Sequence, residues 1–157
     1  MRIEYINPFV ESSFSVLREV LNTEIVRGEL FVKPPSQPVL GITAIVGVTG
    51  QIEGRVLLDM NPTTGLNIAS SMNEMEMSEF DELAKATIAE LANMIVARAL
   101  TKLDENGFEV DLSPPSLFTG DDMDNTNTAE EALIVPIEMP LGRVEINLTM
   151  RERALSV

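Results

Sequence analysis

The chain has 157 residues, the size of one ordinary domain with room for a real core but not for two independent ones, so a single domain over 1–157 is expected. Its formal charge of −14 and pI near 4.2 repel nucleic acid phosphates and anionic lipid heads, which leaves a protein presenting Lys or Arg as the better partner. There is no His, Cys or Trp, which excludes Ser-His-Asp and Cys-His catalysis, thiolate or imidazole zinc sites and a phosphohistidine.

In chain order, Asn7-Pro8 reads as a helix cap followed by Pro at the first helical position, and Val10, Phe14, Leu17 and Leu21 repeat at helical spacing. A first helix is predicted over 8–21. Residues 28–32 and 39–48 are rich in β-branched and aromatic types, and Thr49-Gly50-Gln51 separates the second run from 52–60 as a hairpin. Asn61-Pro62 repeats the cap signal and opens a shorter helix through about Met72.

Ser78 and Asp81 form a capping pair for a long helix that ends at Asn106-Gly107. Leu83, Ile88, Leu91 and Ile95 hold one apolar stripe and should be buried. Beyond Ile95 the stripe drifts to Val96, Leu100 and Leu103, which predicts a bend or a change of packing partner. Strands are predicted over 108–112, 132–138 and 143–150, the last two joined through Pro140-Leu141-Gly142. Pro136 cannot donate to a ladder, so its strand should lie at an edge or carry a bulge.

The two halves repeat weakly: helix, Gly28, short strand, Pro34-Pro35-Ser36 and strands ending in Gly54-Arg55-Val56, against helix, Gly107, short strand, Pro114-Pro115-Ser116 and strands ending in Gly142-Arg143-Val144. The expected fold is α+β, its two halves placing antiparallel strands in one sheet with the long helix packed on it. Aligning Gly28 with Gly107 gives an offset of 79, which pairs Glu90 with Glu11 and Asn93 with Phe14.

The long helix carries Glu90-Leu91-Ala92-Asn93, a carboxylate and a carboxamide projecting from one face. Ala86, Ala89 and Ala97 flank them, so the pair should stand exposed on a flat surface. Asn is unfavourable inside a helix, and a locally unfavourable residue marks a candidate site. By itself Glu-x-x-Asn is a common pattern, found on ordinary solvated helix faces.

With its surroundings the pattern resembles the chemotaxis phosphatase family of CheC, CheX and FliY, and CheX most closely. That family's mark is an acid or Ser, then Glu-x-x-Asn, then a Pro further along, matched here by Glu90, Asn93 and Pro114-Pro115. Gly47 to Gly54, Asp81 to Ala84 and Val110 to Pro115 resemble the CheX hairpin and the stretches flanking its catalytic helix. Ala86 stands where the acid or Ser usually lies, and the missing amide at Phe14 fits the one-site pattern of CheX rather than the two of CheC.

The resemblance implies a CheC-like fold and a hydrolase acting on the aspartyl phosphate of a CheY-type response regulator. Asn93 would place the attacking water and Glu90 would pair with the regulator's active-site Lys. No cofactor of its own is implied; the divalent metal would belong to the regulator. It also implies a homodimer joined across a sheet edge, since exposed edges recruit strands. Alternatives are a binding module that docks the phosphorylated regulator without hydrolysing it, which Ala86 leaves open, and a structural subunit.

Other features read more plainly. Gly120 to Asn125 lacks the Gly and distal Glu of a calcium loop and is expected to be a solvated loop, followed by a polar stretch from Asn125 to Thr128. Glu74 to Met77 reads as an interhelical linker whose Met side chains fill core gaps. Met1 to Glu11 has no signal-peptide pattern and no run of about 18 apolar residues is present, so a cytoplasmic protein away from membranes is expected.

Overall fold

The first helix, α1 (Ile3–Leu21), begins ahead of the Asn7-Pro8 signal and carries Pro8 inside it. Pro8 forfeits one backbone bond, yet its ring is buried together with Tyr5, Ile6, Phe9 and Val10. Packing therefore overrides the capping signal. The computed structural model describes residues 2–34, 39–120 and 131–153. After α1 come strands β1 (Val26–Arg27), β2 (Phe31–Lys33), β3 (Ile42–Gly50) and β4 (Ile52–Met60), helices α2 (Pro62–Met72) and α3 (Glu82–Glu105), and strands β5 (Val110–Leu112), β6 (Ser116–Thr119), β7 (Ala132–Met139) and β8 (Gly142–Glu152).

Helix α2 starts where the sequence predicts, and α3 starts three residues beyond the expected Ser78 cap. The Asn61 side chain accepts from the Thr64 N–H at 2.8 Å with Pro62 at the first helical position. Asp81 caps α3, accepting from the Ala84 N–H at 3.0 Å, while Ser78 stays exposed outside the helix. At the far end Gly107 takes φ +86°, Phe108 N–H reaches Leu103 O at 2.9 Å and Gly107 N–H reaches Asp104 O at 3.0 Å. That double bond needs a left-handed residue at Gly107.

The helix between these ends is continuous and buries Ile88, Leu91, Ile95, Val96, Ala99 and Leu103. The drifting stripe is a change of partner: α3 packs on both the sheet and α1. Leu83 breaks the predicted pattern, being 46% exposed, because Ala84 on the next position fills the space against Ala69 and Met77. Met77 is buried as a gap-filler, whereas Met75 is exposed.

The sheet is antiparallel with order β1-β7-β8-β4-β3-β5, β2 also pairing with β7 and β6 with β3. Alternation gives it one apolar face: Ala44, Val46 and Val48 of β3, Val56, Leu58 and Met60 of β4, and Val144, Ile146, Leu148 and Met150 of β8 join Phe9, Leu17, Ile88, Leu91 and Ile95 of the helices in one core. Pro136 is accommodated by a bulge. Between the pairs Arg27↔Ile137 and Phe31↔Ile134, residues 28–30 of one strand face only 135–136 of the other, so no donor is wanted at Pro136. Of the strand predicted over 28–32 only 31–32 is strand, in β2; residues 28–30 form the bulge, and β1 lies ahead of the predicted range.

The halves correspond as α1-β1-β2-β3-β4 and α3-β5-β6-β7-β8, with α2 between them and an approximate two-fold axis through the β4–β8 pair. The register differs from the one Gly28 and Gly107 predict. Gly28 N–H donates to Pro136 O at 2.9 Å where Ser113 N–H donates to Gly47 O at 2.9 Å, so Gly28 answers to Ser113, an offset of 85. Along the helices the exposed and buried positions match at 86: exposed Glu4, Asn7 and Glu11 fall on exposed Glu90, Asn93 and Ala97, and buried Tyr5, Ile6, Phe9 and Val10 on buried Leu91, Ala92, Ile95 and Val96.

Gly120 ends the middle described segment. The expected loop from Asp121 to Asn125, the polar stretch to Thr128, and Pro35-Ser36 lie outside the described residues.

Candidate functional site

Glu90 and Asn93 project from α3 into solvent while Leu91 and Ala92 between them are buried. The helix is anchored through that inner face, so the pair sits on a rigid element. Ala86, one turn earlier, and Ala97, one turn later, are also exposed, and Ala89 is half-buried. Ala86 and Ala97 leave the helix face open before and after the pair, which suits approach by another protein's surface.

The wall next to Asn93 comes from the segment after β5. Leu112, Ser113 and Pro114 face Asn93, Val96, Ala97 and Leu100 across a hollow of about 270 Å³. Pro114 is therefore the proline that the fold brings to the pair; Pro115 does not line this hollow. Ser113 fixes the segment doubly: its N–H donates to Gly47 O, and its Oγ accepts from Gly47 N–H at 2.7 Å. A Cβ on Gly47 would stand 3.3 Å from that Oγ, close enough that the Ser113 side chain would have to give by a few tenths of an ångström.

The cations of α3 are occupied elsewhere. Lys85 pairs with Glu82 at 3.2 Å, Arg98 with Glu19 at 2.9 Å and Lys102 with Glu11 at 2.9 Å. Glu90 makes no ion pair among the described residues, which leaves its carboxylate open to a cation from a partner. Also among the described residues, no three acidic side chains converge as metal ligands.

The half-repeat holds a second pair that the sequence reading misses. At the observed register the counterparts of Glu90 and Asn93 are Glu4 and Asn7, rather than Glu11 and Phe14. A search for a repeated Glu-x-x-Asn finds Glu4-Tyr5-Ile6-Asn7 and also Glu19-x-x-Asn22, but Asn22 is a left-handed helix cap at φ 47°. The surroundings of Glu4 and Asn7 have diverged. Arg2 lies 3.4 Å from the Glu4 carboxylate and also binds Glu152, and Gly28 against Pro136 replaces Ser113 against Gly47.

The family model for the chemotaxis phosphatase CheX matches residues 42–138, from β3 through α3 to β7. The CheY-P phosphatase CheX of Thermotoga maritima is 31% identical over 124 residues, which is 78% of this chain and 80% of that protein. The chain belongs to the CheX family.

Solved CheX structures have the same fold. A CheX chain in the CheX–CheY–BeF3–Mg2+ complex from Borrelia burgdorferi is 37% identical, with a TM-score of 0.83 covering 96% of this chain and all of that one. A CheC-like superfamily protein from Shewanella sp. PV-4, at 24% identity, superposes with a TM-score of 0.84 over 96% of this chain and 99% of its own, a likeness of fold. The α+β architecture of the CheC and CheX proteins is thus the architecture of this chain. No helix among the described residues is long and apolar enough to cross a membrane.

Proposed function

We propose that this chain hydrolyses the aspartyl phosphate of a CheY-type response regulator, with Asn93 holding the attacking water and Glu90 docking the regulator through its active-site Lys. The observation that carries this reading is the exposed Glu90 and Asn93 pair on a rigid helix of a CheX-family chain, with Pro114 alongside. The naming of the Thermotoga relative as a CheY-P phosphatase, and of the Borrelia complex as CheX with CheY, supports the same partner.

An acyl phosphate hydrolyses readily once water lies in line with phosphorus. The oxygen of water bonds to phosphorus, the bond from phosphorus to the aspartyl oxygen breaks, and the products are a carboxylate, inorganic phosphate and a proton. A carboxamide suits the positioning task because its oxygen accepts from the water while its nitrogen donates to a phosphoryl oxygen. The phosphoryl charge is met by a divalent metal held by the regulator, so this chain supplies no cofactor. A cytoplasmic place belongs to the same reading, and the absence of Cys fits a reducing compartment. The direct test is the lifetime of the regulator's phosphate with and without this protein, which should shorten on its addition.

Glu90 acts through charge and Asn93 does not, so salt separates them. Glu90→Ala should weaken both binding and turnover, and raising ionic strength should slow association of the wild type more than of this variant. Equal salt slopes for the two proteins in stopped-flow association would remove Glu90 from the docking role.

We also propose a homodimer joined at the edge formed by β1 and β2. Val26 of β1, Phe31 and Val32 of β2 and Leu30 between the strands are exposed there, on an edge that pairs with no other strand on its outer side among the described residues. Light scattering should give twice the mass of the 17.2 kDa chain at micromolar concentration. Val32→Lys, which charges the edge, should shift it to monomer; a monomeric wild type would count against the proposal.

A further inference from the structure

We propose that the cleft between α3 and β5, running from Asn93 to Asp104, is a docking trough for the regulator, taking a surface segment that presents an apolar side chain followed by a Lys or Arg. The inference rests on the reading of Glu90 and Asn93 as the point of contact with the phosphorylated site. Asn93, Ala97, Leu100 and Asp104 follow one another at helical spacing along a single side of α3. Beside Asn93 the trough is the 270 Å³ hollow, its walls apolar apart from Asn93 and Ser113. Leu100 also lines the next stretch, a wider opening of about 710 Å³ with Phe108 and Val110 in its wall, so the two adjoin at that side chain.

The wide end is acidic. Asp104, Glu109 and Asp111 are all exposed around it, and no Lys or Arg lines either stretch among the described residues. The helix's own cations Arg98 and Lys102 turn to Glu19 and Glu11 on α1, so they do not neutralise it. A partner complementary to this surface therefore carries one cation for Glu90 and a second about 20 Å away for the acidic end, with an apolar side chain between them for the hollow. The apolar contact gains by displacing poorly bound water, and the spacing of the two cations discriminates among regulators.

The trough acts before the phosphoryl group reacts, so it governs capture rather than chemistry. The test uses a purified CheY-type regulator of the source organism, phosphorylated with acetyl phosphate and Mg2+. Removing the three charges with Asp104→Asn, Glu109→Gln and Asp111→Asn should raise KM about tenfold at low ionic strength, leave kcat within about twofold and flatten the salt dependence of kcat/KM. Ala97→Arg, at an exposed helix position that tolerates a long side chain, should block the trough and raise KM further. A triple variant with the KM and salt slope of the wild type overturns the proposal, and if Asn93→Ala has meanwhile lost hydrolysis, the active centre stands without the trough. Should the wild type not accelerate phosphate loss at all, the phosphatase reading falls. The trough is then read from fluorescence anisotropy of labelled regulator, where the triple variant must still bind about tenfold more weakly for the proposal to hold.

Discussion

Replacing Asn93 with alanine is expected to abolish accelerated dephosphorylation while leaving affinity for the phosphorylated regulator within about twofold. The amide is proposed to act on the water in the transition state, so its loss raises the barrier without removing a ground-state contact of similar worth. One positioning group of this kind contributes about 2–4 kcal/mol, which is roughly 30- to 1000-fold in rate. The substitution is mild for the fold because Asn93 is exposed and alanine is the better helix former. Asn7 is not expected to compensate: Arg2 occupies the carboxylate of Glu4, and Gly28 against Pro136 offers no counterpart to the Ser113-Pro114 wall. Single-turnover decay of the regulator phosphate decides the matter. A wild-type rate in Asn93→Ala would sink the proposed mechanism, and a residual rate lost only on adding Asn7→Ala would assign that share to α1.

The pair itself was legible in the sequence because helical spacing alone puts Glu90 and Asn93 on one face, the Asn61 cap located α2, and the Ser78–Asp81 pair placed the start of α3 to within one turn. The site's other wall was not legible in the same way. Leu112, Ser113 and Pro114 reach Asn93 only because β5 pairs with β3 and Ser113 clasps Gly47, contacts between residues far apart in the chain. Strand β6 was missed for the same reason: Ser116–Thr119 is short, and it extends because β3 offers a partner from Ile42 to Ile45. At Pro8 and Leu83, local signals lost to packing. The repeat register failed on punctuation, since Gly28 and Gly107 do different work. Gly107 ends a helix at positive φ, whereas Gly28 is small because a Cβ there would meet the Pro136 ring at 3.0 Å.

The second large effect is on stability, and it comes from a group that the catalytic proposal does not use. Asp59 is fully enclosed on β4, its carboxylate accepting from the Thr43 hydroxyl at 2.8 Å and from Leu40 N–H at 3.0 and 3.2 Å. Across the strand pair stands Glu145, which takes the Lys33 ammonium at 3.3 Å and the Arg143 guanidinium at 2.9 Å. Burial pushes the Asp59 carboxyl from its ordinary 3.8 up to about 6; its hydrogen bonds and Lys33 oppose this only in part, and Glu145 adds to it. The folded state thus holds the Asp59 proton to higher pH than the unfolded chain does. This group's contribution to stability falls as pH rises from about 4 to about 6, opposite to the usual carboxylate, and at pH 7 the buried charge costs about 3 kcal/mol. Asp59→Asn removes the buried charge and keeps an oxygen for Thr43 and for the 3.2 Å contact from Leu40 N–H, while its nitrogen takes the place of the oxygen that accepts from Leu40 N–H at 3.0 Å. It should raise Tm by about 5–10 °C at pH 7, with the gain shrinking to nothing near pH 4. Thermal unfolding of the two proteins across this range tests the assignment, and a gain independent of pH would show that Asp59 is ionised in the folded protein throughout.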